Sequence, residues 1–208
     1  MILSRRNVLI LAAHPDDAEF SMGATVMQMV RGGADVTYVA FSPCSESVPD
    51  GFRPSAIADE FAFSCTAMGA NGVLLKYPVR RLNEYRQDIL DEMIRIRKRL
   101  NPDLVFIPAT GDIHQDHETI HNEGVRAFKN TSVLGYELPW NHLSCHYTMY
   151  ASVTGDEVGL KVDLASIYKT QAGRPYSSPE FIRSLACVNG TIIGLEYAER
   201  FEVIRWIA

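Results

Sequence analysis

Short runs rich in β-branched residues alternate with longer stretches whose apolar residues recur every three or four positions. This alternation narrows the fold more than any other feature of the chain. Residues 8–13, 36–41, 73–77 and Leu104–Pro108 read as buried strands, apolar but for Thr37 and Lys76 and bounded by turn residues. Residues 20–31, Ala56–Met68 and 84–100 read as the helices between them. In the last of these, Ile89, Met93, Ile96 and Leu100 form one stripe, and Asn101-Pro102 ends it. Strand, helix and strand in succession point to a parallel sheet whose two faces are covered by helices, because the crossover must carry the chain back to the starting edge. Further strands are expected at 133–138, 147–153 and 201–207, and further helices at 158–170 and 179–187. No repeat, low-complexity tract or linker interrupts the 208 residues, so a single domain over residues 1–208 is expected.

Composition removes several classes of partner. Acidic side chains outnumber basic ones by 25 to 20, and the one basic run, at 95–99, reads as the solvated face of a helix. Nucleic acid and anionic membranes call for clustered Lys and Arg, so neither is an expected partner. Cys44, Cys65, Cys145 and Cys187 are scattered with no C-x-x-C pair. They form neither a disulfide framework nor a thiolate zinc site, and they suit a reducing cytosol. The apolar stretch at 8–13 is too short for a secretory core, and nothing approaches the ~20 apolar residues of a membrane span. A cytoplasmic protein without membrane insertion is the expectation.

Open parallel sheets place their ligand sites beyond the carboxyl ends of the strands, where strand order reverses. Two such loops are dense in metal-capable residues. His14-Pro15-Asp16-Asp17-Ala18-Glu19 follows the first strand, and Gly111-Asp112-Ile113-His114-Gln115-Asp116-His117-Glu118 follows the fourth. A hydrolytic zinc site needs three protein ligands, an open position, a carboxylate to take a proton and a donor for the developing oxyanion. Adjacent aspartates supply a ligand and a base; paired histidines supply a ligand and a free imidazole, with Asp116 available to orient a ring. Each cluster taken alone has a plainer reading. Asp16 or Asp17 could be an ordinary helix N-cap, and two histidines three apart could be surface decoration. Two such clusters, both after strand ends, favour chemistry. Glu19 and Glu118 stay open between a role behind the site and simple first-turn acids.

His14-Pro15-Asp16-Asp17-x-Glu19 and His114-x-Asp116-His117 together resemble the paired signature of the LmbE-like (PIG-L) zinc-dependent N-deacetylases. Tyr168-Lys169-Thr170-Gln171 at the end of a late helix, and Gly190-x-x-x-Gly194-x-x-Tyr197-Ala198-Glu199-x-Phe201, are similar to that family's later segments. The resemblance therefore covers nearly the whole chain. It implies a Rossmann-like three-layer α/β/α sandwich with a mostly parallel sheet. It implies His14, Asp17 and His117 as ligands of Zn2+, Asp16 as general base, and His114 as acid or oxyanion stabiliser partnered by Asp116. The implied activity is removal of acetyl from an N-acetylated amino sugar, such as an N-acetylglucosamine-type glycan, glycoconjugate or precursor. The implied assembly is a homo-oligomer, trimer or hexamer. Two departures stand out. Gln115 replaces a proline common among relatives, leaving the ligand spacing intact. Ile57 stands where many relatives carry an arginine three residues before the glutamate of the Ala-rich helix, here Glu60. Arg53, one turn earlier, is the candidate to grip substrate instead, the alternative being an ordinary surface arginine.

Two other classes compete. His117-Glu118-x-x-His121 matches the H-E-x-x-H pattern of zinc metalloproteases, although it leaves the first loop unexplained. A catalytically silent sugar- or nucleotide-binding relative is the other, but no G-x-G-x-x-G is present and base, ligands and stabiliser are all retained. Tyr136 and Trp140 are candidates to stack on a sugar ring, with core burial as the alternative for each.

Overall fold

The computed structural model describes residues 2–144 and 146–207. Its centre is a seven-stranded sheet in the order β3-β2-β1-β4-β5-β7-β6. The strands are β1 (Asn7–Ala12), β2 (Asp35–Ala40), β3 (Asn71–Leu74), β4 (Leu104–Pro108), β5 (Ser132–Tyr136), β6 (Met149–Val153) and β7 (Tyr197–Arg205). β1 to β5 pair in parallel, and β7 runs antiparallel to both β5 and β6. Six helices connect them: α1 (Asp17–Arg31), α2 (Ala56–Met68), α3 (Arg86–Leu100), α4 (Gln115–Ala127), α5 (Gly155–Ala165) and α6 (Pro179–Ile192).

The two-residue period of a strand divides the core into two halves. Val8, Ile10 and Ala12 face one side, where they pack with Phe20, Val26 and Met29 of α1, Phe61 and Met68 of α2, and Val162 of α5. Leu9, Leu11 and Ala13 face the other, against Ile89, Met93 and Ile96 of α3 and Ile120 of α4. Three layers result, as the strand–helix alternation required. The chain leaves β1 toward β2 on one side and comes back to β4 on the other, so strand order reverses between β1 and β4. The two loops rich in acids and histidines emerge side by side at that point.

Element limits differ from the sequence reading where pairing or capping overrides apolar pattern. β3 stops at Leu74, yet Leu75 and Tyr77 still donate to the carbonyls of Ala40 and Phe41, so the apolar run to 77 does follow β2. α4 supplies the helix whose first turn holds Glu118 and to which the sequence reading set no limits, and α6 runs past residue 187 to Ile192. α5 ends at Ala165, with Lys169–Gln171 forming a separate 3-10 turn. Cys44, Cys65 and Cys187 are free; Cys145 lies outside the described residues. No described helix is long and apolar enough to cross a membrane.

α1 is broken after its first turn. Met22 has φ −141° and ψ 26°, which frees backbone groups on both sides of it. A buried ion pair takes them. Glu199 of β7 accepts from the amides of Ala24 and Thr25 at 3.3 and 2.7 Å. Lys161 of α5 donates to the Ser21 carbonyl at 2.8 Å and to Glu199 at 2.7 Å. The carboxylate thus serves as cap for a second helix start inside α1, where unsatisfied N–H groups and the local dipole both favour negative charge. The first turn, which carries Asp17, is held as a separate piece.

Candidate active site

The first loop is built so that its acids point inward. Asp16 occupies the N-cap position of α1, but its side chain makes no capping hydrogen bond. Asp17 opens the helix, and its Oδ2 accepts from the His14 amide at 2.9 Å, which turns Oδ1 toward the second loop. In that loop His114 is the N-cap of α4, its Nδ1 accepting from the Asp116 amide at 3.2 Å, and His117 sits in the helix's first turn. Gly111 allows close approach of the 142–144 segment, since any Cβ there would strike the Ser144 carbonyl, and Asp112 bridges to His142.

His14, Asp17 and His117 converge. His14 Nδ1 lies 3.0 Å from His117 Nε2, and Asp17 Oδ1 lies 3.6 and 3.4 Å from those two nitrogens. Ligand bonds of about 2.0–2.2 Å in a tetrahedral array place donor atoms roughly 3.3 Å apart, so this triangle is one face of such an array. The far side of each ring is anchored by a carboxylate. His14 Nε2 bonds Asp116 at 3.2 Å, and His117 Nδ1 bonds Asp112 at 2.6 Å. Those bonds leave Nδ1 of His14 and Nε2 of His117 facing one another, lone pair to lone pair, unless a proton or a cation lies between them. The three residues therefore fit a divalent ion with nitrogen and oxygen ligands. A nitrogen of His114 also lies within 4.8 Å of the other two imidazoles, a looser set.

Charge in this cluster is unbalanced without a cation. Burial opposes protonated rings, but the carboxylates around them win: Asp17 and Asp116 lift His14 to about 9, and Asp17 and Asp112 lift His117 to about 10. Burial likewise disfavours ionised Asp17, yet His117 and His14 hold it well below the usual carboxylate range. Asp16, with no such partner, is pushed up by burial and by Asp17 beside it. His114 is pushed down to about 4 by burial and by the two neighbouring rings.

Several sequence expectations find other positions. Asp116 does not orient His114; its backbone caps against that ring while its carboxylate turns away to His14 and to the amides of Arg80 and Leu82, at 2.6 and 3.1 Å. Arg53 is exposed, ion-paired with Asp59 at 2.8 Å, and does not line the cleft, whereas Ile57 does. Glu19 is fully buried and bonds Ser64, Tyr38 and Tyr168, so it is no solvated first-turn acid; Glu118 is exposed. His121 turns back to the Pro108 carbonyl at 2.8 Å, so the H-E-x-x-H pattern brings no second imidazole to His117. Tyr136 is buried against the Leu11 carbonyl. Trp140 is 37% exposed and lines the cleft.

Asp112 was overlooked in the sequence, where it stood only as one more acid in a loop. The signal available was numerical: two ligating rings need two carboxylates behind them, and Asp116 can serve only one. The later motifs also become intelligible. Glu60 accepts from the Thr170 amide and hydroxyl at 3.1 and 2.6 Å, while the hydroxyls of Tyr168 and Tyr38 both reach the Pro15 carbonyl, at 2.6 and 2.7 Å. The cleft above these groups is about 330 Å³, of ligand size. Its wall is Trp140 stacked on Tyr176 at 4.1 Å, with Phe20 edge-on to Tyr176 at 5.4 Å.

Among solved structures, the N,N'-diacetylchitobiose deacetylase of Pyrococcus horikoshii superposes with a TM-score of 0.80 at 21% identity, covering 96% of this chain and 84% of that one. GalB, the 4-carboxy-2-hydroxymuconate hydratase of Pseudomonas putida KT2440, superposes at 0.77 with 15% identity, covering 98% of each chain. One architecture thus carries different reactions, and the fold alone does not choose between them. By sequence, the chain is 27% identical over 175 residues to a protein of Escherichia coli K12 called uncharacterized deacetylase YaiS, spanning 79% of this chain and 90% of that one. The family described as PIG-L: GlcNAc-PI de-N-acetylase matches residues 9–128, which include both loops and all five carboxylate and imidazole groups of the triangle and its supports. On that match over more than half its length, the chain belongs to the PIG-L family.

Proposed function

We propose that the protein is a zinc-dependent hydrolase that removes the acetyl group from an N-acetylated amino sugar. The observation that carries this reading is the triangle of His14 Nδ1, Asp17 Oδ1 and His117 Nε2 with the uncapped carboxylate of Asp16 beside it. Asp17 is assigned as third ligand in preference to His114 because it gives the tighter set. A divalent ion held there supplies a Lewis acid and an acidified water at neutral pH.

The rest of the chemistry belongs to side chains. Asp16 takes a proton from the attacking water and returns it to the amine that leaves, so acetate and free amine are the products. His114 has its Nδ1 occupied as an acceptor, which fixes the neutral tautomer with a proton on Nε2. It is therefore a hydrogen-bond donor for the oxyanion and not the acid that protonates the amine. The stacked Trp140 and Tyr176 supply an aromatic wall against which an apolar side of a pyranose ring packs.

The amino-sugar class draws on the family description and on the chitobiose deacetylase that shares the fold. The test is acetate release from a panel of N-acetyl amino sugars by protein of measured zinc content. Release that rises with zinc occupancy supports the reading. A protein that holds no metal, gains nothing from added zinc and releases no acetate refutes it.

A further inference from the structure

We infer that Arg80, together with Arg174, reads an acidic group on the substrate, so that the amino sugar deacetylated here carries a phosphate or carboxylate; this rests on the deacetylase reading above. Arg80 has φ 65°, one of three non-glycine residues with positive φ among those described. Of the other two, Asn101 ends α3, as asparagine commonly does, and Cys44 also lines the cleft. The left-handed turn at Arg80 has a visible backbone purpose. Its amide donates to Asp116 at 2.6 Å, and its carbonyl accepts from the Gln115 side chain at 3.1 Å, which together fix the carboxylate behind His14. Glycine performs that backbone task without a Cβ in a crowded conformation. An arginine at this position gains only through its side chain.

Arg80 lines the cleft with an exposed side chain, and it forms no ion pair among the described residues. Its neighbour Arg81 is the opposite case, outside the cleft and paired with Glu84 through two bonds of 2.9 and 2.7 Å. Arg174 comes from the segment between α5 and α6, lines the same cleft, and likewise meets no carboxylate. Its position is fixed by its backbone: the amide donates to Gln171 at 2.9 Å, and the carbonyl accepts from the Ser177 hydroxyl at 2.8 Å. Two arginines without an ion-pair partner among the described residues therefore border a cleft whose floor is acidic. Guanidinium is planar and always charged, and it binds carboxylate and phosphate oxygens through paired N–H groups. Phosphate and carboxylate share that chemistry, and the substrates below separate them.

The experiment uses the zinc-loaded protein and measures kcat/KM for acetate release from N-acetylglucosamine 6-phosphate and N-acetylmuramic acid, against N-acetylglucosamine and N,N'-diacetylchitobiose. An acidic sugar should be preferred by about tenfold or more, the worth of one charge-assisted hydrogen bond. Whichever acidic substrate leads identifies the group. Arg80→Gly should keep the zinc content and melt no lower than wild type, because backbone strain is relieved, while the acid-to-neutral ratio falls about tenfold, mainly through KM. Arg80→Gln keeps the backbone as it is and should lose the same preference; it decides the matter if the glycine variant loses zinc. Arg174→Gln should lose part of it. Calorimetry with glucosamine 6-phosphate and glucosamine should reproduce the ratio without turnover. Equal use of neutral and acidic sugars, or a preference that survives Arg80→Gln, overturns this inference and leaves the deacetylase standing. Failure of all four sugars, with zinc bound, overturns both.

Discussion

Replacing Asp112 by asparagine tests how the site holds its ion, because a carboxylate and an amide of equal shape differ there in one countable way. Asp112 is 4% exposed, and both of its oxygens are used as acceptors. Oδ2 takes the His117 ring N–H at 2.6 Å, and Oδ1 takes the His114 amide at 2.9 Å. An asparagine has a single acceptor oxygen, so whichever way it is turned, its NH2 group meets a donor. If the amide oxygen keeps His117, the His114 amide is orphaned; if it keeps His114, the ring of His117 is free to rotate or change tautomer. Loss of such a partner behind a ligating histidine costs 10–100-fold in metal affinity, or about 1.4–2.7 kcal/mol. The orphaned buried donor costs a further ~1–3 kcal/mol of fold stability. The assay is zinc affinity by chelator competition, with thermal melting of zinc-free protein alongside and Glu118→Gln as an exposed control. Asp112→Asn should weaken zinc at least tenfold and lower the melting temperature by several degrees, leaving the control unchanged. Wild-type affinity in Asp112→Asn, with His117→Ala losing zinc, would show that the carboxylate does not tune the ligand and would refute the reasoning.

Asp16→Asn should keep zinc yet cut turnover by at least about a hundredfold, the lower range for a lost general base; elemental analysis and acetate release on the same sample check both halves. His121→Ala and Glu118→Gln should retain most of the activity, since neither side chain reaches the triangle; loss of activity in both with zinc bound would revive the protease pattern. In zinc-free protein, His14 and His117 carry pKa values raised from 6.5 to about 9 and about 10. Their contribution to stability is complete below about pH 6.5 and lost as pH rises through those values, so chelated protein should melt lower at pH 9.5 than at pH 6.5. Zinc-loaded protein should show a much smaller decline, because the ligand rings have already lost those protons. Lys161→Met leaves Glu199 buried without its ammonium and should cost roughly 3–5 kcal/mol by denaturant unfolding. A cost below about 1 kcal/mol would mean that the break in α1 does not depend on the pair.

Most of the architecture was legible because burial writes itself into spacing. β1 and β4 are apolar at every buried position and β2 at all but Thr37, and the stripe of α3 lies against them as its period requires. The meeting of the two loops followed from strand order, which the sequence suggests only through the general behaviour of parallel sheets. What stayed hidden has one physical cause: sequence spacing fixes which residues are near along the chain, not which way their side chains turn. Asp116 is two residues from His114 and was paired with it, but N-capping by the His114 ring takes the Asp116 amide and sends the carboxylate elsewhere. The limits of α4 are not legible because its first turn is given over to the site, so few apolar residues mark it. The left-handed backbone at Arg80 leaves no trace in residue type, since glycine or asparagine would have announced it and arginine does not. Spacing alone favours Arg53 as a substrate arginine, yet its partner is Asp59, six residues along the chain in the next helix.

The later third of the chain contributes no ligand to the triangle, yet the first loop depends on it. Tyr168 donates from beyond α5 to the carbonyl of Pro15 or to Glu19, and Tyr38 on β2 does the same from the sheet. Burial raises Glu19 to about 8, and Ser64 and the two tyrosines surround it, so the group beneath Asp16 and Asp17 brings little extra negative charge to the floor. Lys161 and Glu199 then separate the first turn of α1 from the rest of the helix. A straight α1 would lock the direction of Asp17 to fifteen residues of packing; a turn that ends at Ser21 is oriented by the loop's own hydrogen bonds. Strand ends place the two loops, and the residues of α5 and β7 decide the angle at which one of them presents its carboxylates. A ligand triangle with edges between 3.0 and 3.6 Å requires that second control as much as the first.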